Sequence, residues 1–248
     1  MEDNQVQVNN QIKERLEKVL LDIKNSELSS GRKEGSVKLV AVSKFNPAES
    51  VLSAVKAGQF LFGENRVQEA VSKFTEIREK LGSGENQKLK LQIIGKLQSN
   101  KVKKACIISD TIASVDSLPL IKEINRHAES LNKKIEILLE LHTGEDTKSG
   151  FGNEKVLFEA LEYLSNNNAP NVLPSGLMTM APFTSDEKII RNSFVTLRKT
   201  LEKAKIEFPN LKLTELSMGM SSDYKIAIEE GSTQVRIGTA IFGERIYT

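Results

Sequence analysis

The chain has 248 residues, which suits one (β/α)8 barrel, for which about 250 residues is typical. Hydrophobic residues make up 39% and charged residues 27%, which excludes a disordered chain, and 35 basic against 33 acidic side chains leave a net charge of +2 and no basic footprint for nucleic acid. The single cysteine, Cys106, excludes an internal disulfide, the polar start Met1-Glu2-Asp3-Asn4 lacks the apolar stretch of a signal peptide, and no run reaches the ~18 apolar residues of a membrane span, so the expected location is the cytoplasm.

In chain order, apolar residues at Ile12, Leu16, Val19, Leu20 and Ile23 predict a helix over 6–28 with one face toward a core. Lys38-Leu39-Val40-Ala41-Val42-Ser43 reads as the first strand, and Pro47 opens a helix that Gly58 closes. A second strand spans 60–63 and an amphipathic helix 67–81, broken by Gly82-Ser83-Gly84. The third strand is 89–94, and a short helix near Asn100 to Ala105 leads into Cys106-Ile107-Ile108, where Cys106 reads as a small buried hydrophobe. Strand four is 111–115 and the next helix 118–131. Strand five is 135–141, followed by a helix over 156–165. Gly176-Leu177-Met178-Thr179 is the sixth strand and 186–204 its helix. Strand seven is 213–217, a helix covers 223–230, and strand eight is 234–237.

Eight short strands separated by helical crossovers predict parallel pairing. The expected fold is α/β, a single (β/α)8 TIM-type barrel over residues 1–248, with residues 1–10 flexible. An open doubly wound sheet is the competing arrangement. No full helix is expected after strand eight, and the extra N-terminal helix is expected to cover the surface left bare.

In such a barrel chemistry sits at the C-terminal ends of the strands. Lys44 ends strand one. Alone, it reads as a lysine leaving the sheet for water; in a closed mouth, a desolvated amine of this kind serves as a Schiff-base lysine. Ser217-Met218-Gly219-Met220-Ser221-Ser222 offers hydroxyls and backbone N–H groups just before a helix, and Gly238-Thr239 gives a second set after strand eight. Loops after strands seven and eight often hold phosphate. His127 looks solvated on its helix. His142 ends strand five near the mouth, and two histidines so far apart give no metal-ligand spacing.

Six segments, in order from Leu39 to Gly243, carry a resemblance: Leu39-Val40-Ala41-Val42-Ser43-Lys44, Phe62-Gly63-Glu64-Asn65-Arg66-Val67-Gln68-Glu69, Ile94-Gly95-Lys96-Leu97-Gln98-Ser99-Asn100-Lys101, Gly176-Leu177-Met178-Thr179-Met180, Leu216-Ser217-Met218-Gly219-Met220-Ser221 and Val235-Arg236-Ile237-Gly238-Thr239-Ala240-Ile241-Phe242-Gly243. On these the chain resembles the pyridoxal phosphate homeostasis proteins, related to the barrel domain of alanine racemase. The resemblance implies pyridoxal 5'-phosphate (PLP) held as an internal aldimine on Lys44. It implies phosphate contacts from Ser221, Gly238 and Thr239 with Ser217 close by, Arg236 facing the pyridine nitrogen, and Asn65 and Met178 lining the ring pocket. Lys96 departs from the pattern, since many members carry histidine there, and no role of that histidine carries over.

The function implied is storage, buffering and supply of PLP to apo-enzymes by a monomer without strong catalysis. The alternative is a PLP-dependent amino-acid racemase. In alanine racemase the second proton-transfer base is a tyrosine from a separate C-terminal domain. Here Tyr163 falls on a helix, Tyr224 follows the candidate phosphate loop and Tyr247 lies at the end of the sequence, so no second base stands out.

Overall fold

A computed structural model describes residues 2–144 and 150–243. Its eight strands, β1 (Lys38–Val42), β2 (Leu61–Glu64), β3 (Lys90–Ile93), β4 (Thr111–Val115), β5 (Ile135–Glu140), β6 (Val172–Met178), β7 (Glu215–Met220) and β8 (Gln234–Ile237), are all parallel. They follow one another around a closed barrel, with β8 returning to β1. Closure rules out the open sheet.

The helices are α1 (Glu2–Ser29), α2 (Ala48–Lys56), α3 (Val67–Lys80), α4 (Ser83–Lys88), α5 (Val102–Ile108), α6 (Leu118–Ser130), α7 (Glu154–Ser165), α8 (Glu187–Glu207), α9 (Tyr224–Glu229) and α10 (Thr239–Phe242). α1 buries Ile12, Leu16, Val19 and Ile23 and packs against α2, α9 and α10, so it covers the flank beside β8 and β1 as expected. Leu20 does not join that face; it is 43% exposed. The backbone of residues 2–10, expected to be flexible, is helical. Cys106 is buried within α5, and desolvation pushes its thiol up to about 11.

Strand periodicity of two divides the side chains into two sets. Leu39, Ala41, Phe62, Leu91, Ile93, Ile137, Leu139, Leu177, Leu216, Val235 and Ile237 belong to the large core between sheet and helices. The alternate residues face the barrel interior. There Ala113, Leu138 and Met178 form a separate small cluster with Ile94 and Met180 packed on it. Below it the lumen is polar: Gln92 Nε2 donates to Gln234 Oε1 at 3.1 Å, and Gln234 Nε2 donates to Glu215 Oε2 at 2.8 Å.

Four elements differ from the sequence reading. β6 begins at Val172 rather than Gly176, because Pro174 sits where the β5–β6 register slips by one residue, a place where a sheet tolerates proline. β7 spans Glu215–Met220 rather than 213–217, and its register against β8 slips between Ser217 and Met220. Gly219 occupies that bulge at φ +95, and a Cβ there would lie 2.6 Å from Ala227 Cβ and 2.9 Å from Tyr224 Cα. The short α4 follows Gly82, where the sequence reads as a break, and α10 follows β8 directly.

Candidate ligand site at the barrel mouth

The alternation that points Val40 and Val42 away from the helix-facing core carries on to Lys44, one residue pair beyond the strand. Lys44 therefore opens onto the C-terminal mouth. A cavity of about 590 Å³ lies there. Val42, Lys44 and Asn46 line it from β1 and the turn after it, Asn65 from β2, and Ile94, Gly95 and Lys96 from β3. Met180 and Phe183 contribute from the loop after β6. Met220, Ser221 and Ser222 close it from β7, and Arg236, Gly238, Thr239 and Gly243 from β8 and beyond. The barrel order β7-β8-β1 makes the ends carrying Ser221, Thr239 and Lys44 consecutive staves.

The ends of β7 and β8 supply donors. Among the described residues, the backbone N–H groups of Ser221, Ser222 and Thr239 have no backbone partner. The turn that presents them is tied by Asp223, whose Oδ1 accepts the Met220 N–H at 2.5 Å and whose own N–H donates to Met220 O at 3.1 Å. Buried N–H groups normally find partners, so a cluster of undirected donors at a cavity rim is a ready cradle for an oxyanion.

Arg236 rises through the lumen beside β1, where it pairs in register with Val40. It is buried, and Nη1 donates to Ser217 O at 2.7 Å and Ser217 Oγ at 2.8 Å, while Nη2 donates to Thr179 O at 2.8 Å. A guanidinium has five N–H donors, so these three bonds leave it donors for the cavity. Burial pulls its pKa down to about 10 against the opposing charges of Glu140 and Asp223, and it stays cationic at neutral pH.

Six of the eight residues expected at the site line this cavity: Lys44, Asn65, Ser221, Arg236, Gly238 and Thr239. Met178 and Ser217 lie one layer deeper. Met178 packs against Ala113 and Leu138, and Ser217 serves as the acceptor that orients Arg236. Both come out deeper than a strand-end reading suggests because β7 continues to Met220 and Met180 takes the rim position above Met178. Met220 and Ser222, part of the donor segment read from the sequence, also line the cavity, as do Asn46, Ile94, Met180, Phe183 and Gly243, which were not named as site residues. The repeat of two gives Ile94, Met180 and Ser222 from Gln92, Met178 and Met220; nothing in the sequence singles out Phe183, which is 98% exposed at the rim.

His142 stays outside the lining, with its Nδ1 accepting the Gly144 N–H at 3.3 Å. His127 is not a solvated side chain: it is half-buried on α6 and pairs with Glu123 at 3.1 Å. Tyr163 donates its hydroxyl to Asn168 O at 3.1 Å on the helical shell, and Tyr224 is buried, its phenol raised by desolvation and by Asp22. Neither tyrosine lines the cavity, and Tyr247 lies outside the described residues.

Residues 24–246 match the family described as alanine racemase, N-terminal domain. The chain is similar to a pyridoxal phosphate homeostasis protein of Vibrio alginolyticus, 39% identical over 241 residues that cover 96% of this chain and 99% of that one. Among solved structures it is similar to PipY of Synechococcus elongatus PCC7942 with PLP bound, at TM-score 0.81 and 37% identity, covering 94% of this chain and 100% of that chain. A histidine racemase from Leuconostoc mesenteroides shares the fold at TM-score 0.70 but only 15% identity, and this chain covers 58% of its length.

Proposed function

The chain belongs to the pyridoxal phosphate homeostasis protein family, and on that premise we propose that it binds PLP at the barrel mouth and serves as an intracellular carrier of it, without strong catalysis. The observation that carries this reading is one cavity that joins the Lys44 side chain to uncommitted N–H donors on the two preceding staves. The residues present fit the cofactor. The cavity volume of about 590 Å³ is in the ordinary range for a small-ligand site, and the donor set at β7 and β8 suits a phosphate dianion.

When bound, PLP would supply an aldehyde reactive toward a lysine amine and a pyridine ring able to accept electrons. Lys44 offers the amine. Ser221, Ser222, Gly238 and Thr239 hold the phosphate, and Asn65, Ile94 and Met180 bound the ring space. Arg236 would offer its remaining N–H donors to the ring nitrogen. A guanidinium donates and does not accept, so it favours an unprotonated nitrogen and keeps the ring a weak electron sink. No tyrosine among the described residues lines the cavity to act as a second base. Lys96 and Phe183 at the rim are exposed, which leaves a passage for a small ligand to enter and leave. We further propose that the carrier works as a monomer inside the cell and supplies apo-enzymes. No helix among the described residues is long and apolar enough to cross a membrane.

Ser221→Ala is expected to weaken PLP by roughly tenfold to a hundredfold, since a hydrogen bond to a charged group is worth about 1.5–3 kcal/mol. Pyridoxal, which lacks the phosphate, should bind nearly as before. Titration of both ligands checks this, and equal losses would remove Ser221 from the phosphate site.

The carrier reading is tested by incubating the PLP-loaded protein with L- and D-amino acids in deuterated water and following the α-proton by NMR. Negligible exchange is expected, because a positioned general base contributes about 10²–10⁴-fold and no tyrosine among the described residues lines the cavity as a second one. Rapid exchange with loss of chirality, abolished by Lys44→Ala, would make the protein a racemase.

A further inference from the structure

Beneath Lys44 lies a buried charge cluster that the ligand site does not use. Lys73 points inward from the apolar face of α3, beside Ala70, Phe74 and Ile77, and its side chain is only 7% exposed. Its Nζ donates to Glu64 Oε1 at 2.8 Å, to Glu69 Oε1 at 2.8 Å and to the Ser43 carbonyl at 2.8 Å. Glu64 is fully buried at the end of β2; its Oε1 also accepts the Ser43 hydroxyl at 2.7 Å. Desolvation raises the Glu64 carboxyl above its ordinary range, with Lys73 opposing the rise.

The other arm of the cluster reaches past Lys44. Glu69 Oε1 accepts the Phe45 backbone N–H at 2.6 Å. Phe45 sits at φ +64, a left-handed conformation that a bulky residue keeps only when its surroundings impose it. Asn46 completes the turn: its N–H donates to Ser43 O at 3.0 Å and its Nδ2 to Lys44 O at 3.1 Å. The peptide unit before Lys44 is thus tied directly to the Lys73 ammonium, and the one after it to Glu69, a carboxylate that the same ammonium holds. Burying such a cluster is costly, and a methionine would pack the same space on α3 at less cost.

We infer that Lys73 is a positioning residue for Lys44: by holding the Ser43 carbonyl directly and the Phe45 N–H through Glu69, it fixes the root of the Lys44 side chain so that its amine meets an aldehyde seated in the cavity. This rests on the PLP reading above. Lysine has four rotatable side-chain bonds, so its reach is defined only if its backbone is, and a misplacement of about 1 Å can cost around a hundredfold in a reaction between held groups. Covalent capture at Lys44 depends on Lys73; noncovalent seating of ring and phosphate, which uses β7 and β8, does not.

The test compares PLP with pyridoxine 5'-phosphate, which carries an alcohol in place of the aldehyde and cannot link to an amine. The full-length wild type, Lys73→Met, Lys73→Arg and Glu69→Gln are titrated with both, and the visible absorbance of the PLP complex is recorded. To keep the buried site balanced, Lys73→Met is also made together with Glu64→Gln. The expected result is a loss of PLP affinity of about tenfold or more in the Lys73→Met proteins, with a weakened visible band, pyridoxine 5'-phosphate binding within about twofold of wild type, and partial recovery in Lys73→Arg. Equal losses for the two ligands would reduce the cluster to a structural role and overturn the inference, as would unchanged PLP capture. If neither Lys73→Met protein folds, Glu69→Gln decides: selective loss of PLP supports the inference and no loss contradicts it. A wild type that shows no covalent label on Lys44 would instead defeat the PLP reading itself.

Discussion

Lys44→Ala is expected to abolish the visible absorbance of the PLP-treated protein while leaving its melting temperature close to that of the wild type. Lys44 is half-exposed and lies just beyond the end of β1, outside both apolar clusters, and substitutions at such positions usually change stability by no more than about 0.5 kcal/mol. On the proposed reading its contribution is chemical: it is the amine on the stave next to the candidate phosphate donors. Without it the donors at Ser221, Ser222 and Thr239 still bind the phosphate, so PLP should behave like pyridoxine 5'-phosphate, with affinity lower by roughly a hundredfold or more. Ultraviolet-visible spectra and ligand titration of the purified variant check both halves. A retained visible band would move the covalent site to another lysine, and a collapsed fold would mean that Lys44 carries structure as well.

Arg236→Leu is expected to damage both stability and binding. The guanidinium is buried and holds three hydrogen bonds to Ser217 and Thr179, with the negative charges of Glu140 and Asp223 nearby. Leucine would leave those two carbonyls without their donors and the nearby carboxylates without a balancing charge, a change that costs about 3–5 kcal/mol when a buried pair loses one partner. At roughly 2–4 °C per kcal/mol for a chain of this size, the melting temperature should fall by about 10 °C. Arg236→Lys keeps the charge but not the planar fork, and should fall in between. In whatever fraction remains folded, the complex with PLP should absorb differently, because the partner of the ring nitrogen sets its electronics. Thermal denaturation followed by circular dichroism, with spectra of the loaded variants, measures both effects. An Arg236→Leu protein as stable as wild type and with an unaltered spectrum would take Arg236 out of the site.

The barrel was legible because each strand is a short apolar run closed by a polar or glycine turn, and each crossover repeats at helical spacing. The errors fall where one residue breaks that rule. Strand six was read as starting after Pro174 and strand seven as ending before Gly219, yet both residues sit at register slips where a barrel strand bends and continues. The site was legible to the extent that strand ends mark it. Lys44, Ser221, Gly238 and Thr239 were accessible to that logic. Ser217 came out a layer deeper because the bulge at Gly219 extends β7 and moves its end, and Met178 because it packs inward on Ala113 and Leu138 with Met180 at the rim. Lys73 left a signal in the sequence, a lysine on the same face of α3 as Val67, Ala70, Phe74 and Ile77, but its partner Glu64 is on another element, and only the folded chain brings the two together under Lys44.

The most direct measurement is borohydride reduction of the PLP-treated wild-type protein followed by peptide mapping. The expected result is one pyridoxyl group per chain on the peptide containing Ser43-Lys44-Phe45, with loss of the visible band on reduction. A label found only on Lys96 or Lys101, both after β3, or no label at all, would contradict the assignment of Lys44 as the residue that holds the cofactor.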